Sequence, residues 1–226
     1  MILSNVEIHR ALDDGDIIID PEPTPRFRTL QNPRSPYDTT AVNLRLSPAL
    51  SISAERQPFA FDLRKPGLAD LITKVYKPYE MHADGGYSLK PNQFVLGSSV
   101  ETVTMPIKEG RPVIAARVEG RSSFARCGLL IHFTAPTIHA GFSGTITFEI
   151  MNFGLHDIVL YPDLEIGQLI FERVDGLPMP NPSQFQGQTT PPGTKGAAVS
   201  RSAASGAAGE LAKAKTATTP KKSSKK

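Results

Sequence analysis

The chain of 226 residues contains 20 prolines and 18 glycines, about one residue in six, which argues against a helical bundle and for short strands joined by turns. A single cysteine, Cys127, excludes an internal disulfide and a cysteine-rich zinc site, and no apolar run reaches the ~18 residues of a membrane span. Charge divides the chain. Residues 189–226 carry eight basic side chains against Glu210, a net of +7, whereas residues 1–188 are net −4. The expected organisation is therefore an acidic domain over 1–188 followed by a basic, disordered tail over 189–226.

Ser4-Asn5-Val6-Glu7 has the capping-box pattern, and Val6, Arg10, Ala11 and Leu12 suit a short helix stopping near Gly15. Charges follow the first residues at once, so the opening lacks a signal-peptide core, and a soluble, cytoplasmic protein with no membrane partner is expected. Ile17 to Ile19 is a β-branched run, and the proline-rich stretch to Pro36 reads as loop. Ala41 to Leu46 alternates apolar and polar residues, as a half-buried strand does. Leu68 to Val75 after Pro66-Gly67 predicts a second helix. Phe94–Met105, Val113–Val118, Leu129–Phe133, Thr145–Met151, Asp157–Leu160 and Ile166–Phe171 predict six strands. Their spacing is that of a sandwich or barrel, and the lack of long intervening helices disfavours a parallel α/β sheet. After Phe185 the composition changes. Residues 197–226 are mostly Ala, Ser, Thr, Lys and Gly, with one leucine and no aromatic residue, too few apolar groups to offset ordering entropy, so disorder is expected there.

Chemistry concentrates in two stretches. In Gly120-Arg121-Ser122-Ser123-Phe124-Ala125-Arg126, two arginines flank two serines beside a glycine turn. Guanidinium groups, hydroxyls and turn amides form a cradle suited to polyphosphate; the same residues also describe a solvated surface turn. In Thr145–Ile150, the side chains of Thr145, Thr147 and Glu149 share one strand face and those of Ile146, Phe148 and Ile150 the other. Glu149 reads either as a proton carrier held in an apolar setting or as a solvent-facing carboxylate. His139, before Ala140-Gly141, reads as a loop histidine or a base. A zinc deaminase needs His-x-Glu and Pro-Cys-x-x-Cys, which one cysteine cannot supply, and there is no phosphate-binding P-loop and no Gly-x-Ser-x-Gly.

Together the Gly120–Arg126 block, Thr134-Ala135 and Gly141-Phe142-Ser143-Gly144 with Ile146-Thr147-Phe148-Glu149 resemble dCTP deaminases, of the dUTPase-like superfamily. Ile2–Ile8, Ile17–Pro21, Asn43-Leu44-Arg45-Leu46 (Asn where the family has Asp), Leu89–Leu96 and Ile166-Gly167-Gln168-Leu169-Ile170-Phe171 extend the likeness over most of 1–188. The resemblance implies a mainly β, jelly-roll-like barrel assembled as a homotrimer with sites at subunit boundaries. It implies zinc-independent hydrolysis of dCTP to dUTP and ammonia, a source of dUTP for dUMP and dTMP synthesis, with Mg²⁺ accompanying the triphosphate. Glu149 falls on the catalytic glutamate, with Ser122 and the Ala135 carbonyl orienting water. Arg121, Ser122, Ser123, Phe124, Ala125 and Arg126 fall on the segment contacting the nucleotide. Thr147 and Phe148 fall at the cytosine edge, and Gln168 and Gln188 on further nucleotide contacts.

Three further positions depart from that pattern. His139 replaces an aspartate that activates water in dUTPases and bifunctional deaminase–dUTPases, and Gln184 and Phe185 replace a phosphate-binding Lys and a Tyr, for which Lys195 is a candidate substitute. The competing expectations are a dUTP pyrophosphatase or bifunctional enzyme making dUMP, and a non-catalytic nucleotide-binding homologue. For the tail they are a solubilising extension and a non-specific, salt-sensitive nucleic-acid contact.

Overall fold

The computed structural model describes residues 1–53, 60–64, 66–181 and 183–195. The expectations for residues 196–226 fall outside these. Helix α1 (Asn5–Asp13) starts at Ser4, whose Oγ accepts the Glu7 N–H at 3.4 Å, and buries Ile8, His9 and Ala11. The capping box is half formed: the Glu7 carboxylate pairs with Arg10 and Arg173 at 2.8 and 2.9 Å rather than turning back to the cap. Helix α2 (Leu68–Val75) follows Gly67 as expected.

Eleven strands carry the described fold: β1 (Ile18–Asp20), β2 (Val42–Ser53), β3 (Tyr76–Glu80), β4 (Tyr87–Leu89), β5 (Phe94–Thr104), β6 (Val113–Gly120), β7 (Leu129–Leu130), β8 (Thr137–Ile138), β9 (Ser143–Asn152), β10 (Ile158–Leu160) and β11 (Glu165–Val174). One short helix, α3 (Ser122–Ala125), sits between β6 and β7. The main sheet runs β7-β9-β5-β2-β11-β6-β8, with β1 on β5 and β3 on β2; β10 and β4 form a separate pair. All pairings are antiparallel. This is the mainly β architecture that the turn spacing predicts, curled in the barrel-like manner that the resemblance implies.

Irregularities curl the sheet around its core. Register shifts fall between Leu46 and Leu50 on β2, Ser98 and Thr102 on β5, and Glu165 and Gly167 on β11, and such bulges bend a strand and raise its twist. The long strand β2 thus serves two neighbourhoods, pairing with β11 through Val42–Arg45 and with β3 and β5 further on. Val42, Leu44, Leu46, Leu50, Phe148, Ile150, Ile166, Leu169 and Phe171 are buried in the continuous core. Gly167 is required by packing: a Cβ there would lie 2.6 Å from Ile131 Cδ1 and 3.1 Å from Phe148 Cε1.

The strand expected over Leu129–Phe133 ends at Leu130. Beyond it the Ile131 carbonyl still accepts the Glu149 N–H at 2.9 Å, but the Phe133 N–H goes to the Glu149 side chain. A carboxylate has taken the place of a backbone acceptor, and the ladder stops. The strand expected from Asp157 begins one residue later, at Ile158, and the Asp157 carboxylate is engaged by Ser88 and Lys90.

Candidate active site

Strand β9 sets the site. Its pleat sends Ile146, Phe148 and Ile150 inward, all buried, and leaves Thr147 and Glu149 half-buried on the opposite face. Glu149 Oε2 accepts the Phe133 N–H at 3.0 Å, and Oε1 has no protein partner among the described residues. One oxygen is anchored and the other is free to meet a ligand.

The cavity in front of this face has a volume of about 500 Å³, within the range of small-molecule sites. Glu149, Thr147, Ala135, His139 and Gln188 line it, joined by apolar side chains such as Ile107, Ile138 and Phe142. Among the described lining residues Glu149 is the one carboxylate, and there is no Lys or Arg.

Part of the cover is a C-terminal strap. The Gly187 N–H bonds the Ser143 carbonyl at 2.7 Å, and the Gln188 carbonyl accepts the Thr145 N–H at 3.0 Å. Gln188, buried, donates its side-chain Nε2 to the Thr145 carbonyl at 2.7 Å. Thr147 Oγ1 donates to the Pro191 carbonyl at 3.3 Å, and Thr189 to Thr194 close a turn through backbone bonds at 3.1 and 2.9 Å. Packing therefore continues seven residues past 188, through a stretch whose charge alone groups it with the tail. Phe185 packs on Gly193, where a Cβ would lie 2.6 Å from its ring, and the Lys195 ammonium reaches to 3.9 Å from the Cβ position of Gly187.

The arginine–serine segment lies elsewhere in the chain. Arg121 caps α3 and pairs with Glu165 at 2.7 Å, its guanidinium carbon 5.7 Å from the Phe124 ring centre. Ser122, Ser123, Ala125 and Arg126 are exposed. Phe124, Ala125 and Arg126 line a second cavity with Leu155, His156 and Tyr161. Gln168 on β11 stands opposite Asn43 on β2 and Glu119 on β6. Within one chain, then, Glu149, Ala135, Thr147, His139 and Gln188 gather at one cavity, while Ser122 and the arginines do not line it. The Phe148 side chain belongs to the core; at the site it has only backbone groups to offer.

Two features escape a reading of the sequence. The Phe133 N–H that anchors Glu149 is a backbone group in a run that reads as strand. Glu165 carries no signal beyond its place just before Gly167-Gln168.

A family model described as dCTP deaminase-like matches residues 2–174. The chain belongs to the dCTP deaminase-like family. Among its relatives, the "dCTP deaminase, dUMP-forming" of Beutenbergia cavernae is 32% identical over 201 residues, covering 84% of this chain and 92% of the relative. The "dCTP deaminase" of Haloarcula marismortui is 31% identical over 201 residues, covering 86% and 94%. Among solved structures, the 2′-deoxycytidine 5′-triphosphate deaminase of Agrobacterium tumefaciens shares the fold, with a TM-score of 0.52 at 16% identity; the match covers 76% of this chain and 48% of that longer one. The family match stops at residue 174, so the strap that closes the Glu149 cavity lies beyond it.

Proposed function

We propose that the chain hydrolyses dCTP to dUTP and ammonia, with Glu149 as general acid and base. The observation that carries this reading is the Glu149 carboxylate on the wall of a cavity of nucleoside size, one oxygen held by the Phe133 N–H and the other without a protein partner among the described residues. Water adds to C4 of the cytosine ring and gives a proton to Glu149. Glu149 passes that proton to N3; the C4 hydroxyl then gives up its own proton, which Glu149 carries to the amino nitrogen, the C4–N4 bond breaks, ammonia leaves, and the water oxygen remains as the C4 carbonyl of uracil. The Ala135 carbonyl and Ser122 hydroxyl orient the water, and the backbone of Thr147 and Phe148 meets the base edge. Arg121, Ser123 and Arg126 hold phosphate oxygens, with Gln168 and Gln188 as further contacts.

Ser122 is not among the described residues lining the Glu149 cavity within one chain, so the reading includes a second copy that brings the arginine–serine segment to that cavity, in a homotrimer with sites at subunit boundaries. Mg²⁺ enters with the substrate: the cavity offers one carboxylate, already anchored, and no group of three or more His, Cys, Asp or Glu among the described residues is placed to hold a metal. The triphosphate itself supplies the ion's oxygen ligands.

The relatives named as dUMP-forming favour a second reading, in which dUTP is hydrolysed onward to dUMP and pyrophosphate. That step needs another base to activate water, and His139 is the other titratable side chain among the described residues of the cavity wall. With a histidine there in place of a carboxylate, the reaction is expected to stop at dUTP. Incubation with dCTP and Mg²⁺, with nucleotides separated by anion exchange and ammonia assayed, tests both. Ammonia with dUTP is expected. Ammonia with dUMP and pyrophosphate supports the second reading, and dCTP bound but unchanged overturns both.

A further inference from the structure

Arg121 is held by an acidic residue from a different strand. Its Nη1 donates to Glu165 Oε2 at 2.7 Å and to the Glu165 backbone carbonyl at 3.1 Å. The same Oε2 accepts Nδ2 of Asn43 at 3.1 Å. Asn43 is only 3% exposed, and its Oδ1 has no hydrogen-bond partner in the described structure. β2, the end of β6 and the start of β11 thus converge on one carboxylate oxygen, while Nε and Nη2 of Arg121 have no protein acceptor among the described residues.

We propose that Glu165 is a positioning residue for phosphate recognition, fixing the Arg121 guanidinium so that its Nε–H and Nη2–H are presented to the nucleotide's polyphosphate. The proposal rests on the assignment of Arg121 to phosphate made above. Arginine owes its phosphate selectivity to a planar fork, but its long side chain must surrender rotamer freedom to use it. Here that freedom is removed beforehand: Glu165 fixes one nitrogen twice, and Phe124 lies near the guanidinium. Both contacts use the same nitrogen, and one goes to a backbone carbonyl that no phosphate replaces, so the nucleotide engages the remaining edge rather than displacing Glu165. The pair is 30% and 40% exposed, and ion pairs so open to solvent add little to folding, which leaves orientation as its consequence.

The geometry supplies its own rescue. Asn43 and Arg121 meet on the same oxygen, so a carboxylate at position 43 stands one hydrogen bond from the guanidinium once position 165 is neutral. Glu165→Gln keeps an acceptor of the same shape and removes the charge. Steady-state deamination gives kcat and KM, calorimetry gives dissociation constants for dCTP and for deoxycytidine, and thermal unfolding checks the fold. Glu165→Gln is expected to raise KM and Kd for dCTP about tenfold, since charge-assisted hydrogen bonds are roughly twice as strong as neutral ones. The value of kcat should stay within about twofold and deoxycytidine affinity should hold, because a lost guanidinium orientation weakens ground-state phosphate binding alone. The double variant Asn43→Asp/Glu165→Gln should recover most of the dCTP affinity. Unchanged or tighter dCTP binding, an equal loss for deoxycytidine, or no recovery in the double variant overturns the proposal. If the wild type binds dCTP without releasing ammonia, the catalytic reading fails while the binding measurements still decide the role of Glu165. Unaltered dCTP binding by Arg121→Ala overturns both the phosphate assignment and the role of Glu165.

Discussion

The Glu149 cavity and the Arg121 cradle are opposite in physical character, and the proposed function gives each a different task. The cavity is concave and largely apolar, has one carboxylate among its described lining residues, and is covered by a strap from the same chain. The cradle is exposed, carries two arginines and two serines, and takes its order from contacts with β11. An apolar wall around a single acid suits proton transfer to a neutral base, whereas an open, cationic turn suits a polyphosphate that arrives with water and a metal ion. Neither is sufficient alone. The wall has no Lys or Arg among the described residues lining it to meet a triphosphate, and Glu165, the acid that meets the cradle at Arg121, is already engaged by that guanidinium.

Glu149→Gln should separate the two regions most sharply. It removes the proton carrier but keeps the Phe133 N–H contact possible, so kcat should fall about 10³-fold, within the usual range for general acid–base groups, while dCTP still binds. A loss confined to KM would contradict the role given to the cavity. Gln188→Ala strips the strap of a buried hydrogen bond to Thr145, a loss of about 1–3 kcal/mol in strap docking. KM should rise up to about tenfold, with faster proteolysis within 183–195 and little change in the unfolding temperature of the sheet; a large global destabilisation would mean the strap belongs to the core. Lys195→Ala should be mildest. Its ammonium is exposed, so KM for dCTP should rise by about threefold, and by less at high salt, where surface charges are screened. An unchanged KM at low salt would remove Lys195 from the site.

How much of this was legible in the sequence follows from where periodicity operates. β9 is readable because Ile146, Phe148 and Ile150 must face a core, which places Thr147 and Glu149 on the other face. α1, α2 and the long strands follow from the same logic and from their caps. The strap is not readable: Gln186, Gln188, Pro191 and Gly193 follow neither a helical nor a strand period, and the segment is held by backbone bonds of Gly187 and Gln188 to Ser143 and Thr145, more than 40 residues earlier. The early end of β7 is hidden for a related reason, since Leu129–Phe133 is apolar enough to continue and stops because a carboxylate claims the Phe133 N–H. The residue types of the cradle are visible in Gly120–Arg126, but its separation from Glu149 within one chain is not, because adjacency in sequence says nothing about which cavity a turn faces. Glu165 reads as one more solvated acid until the fold brings Arg121 and Asn43 to it.

The most direct test of the division is complementation. Glu149→Gln and Ser122→Ala chains, each inactive alone, are co-expressed in equal amounts and assayed for ammonia release from dCTP. If each site joins the Glu149 cavity of one chain to the cradle of another, random assembly leaves about a quarter of the sites intact, and about a quarter of wild-type activity should return. Activity no higher than that of the two variants measured separately would mean that a single chain builds its own site, and the account would be wrong at its centre.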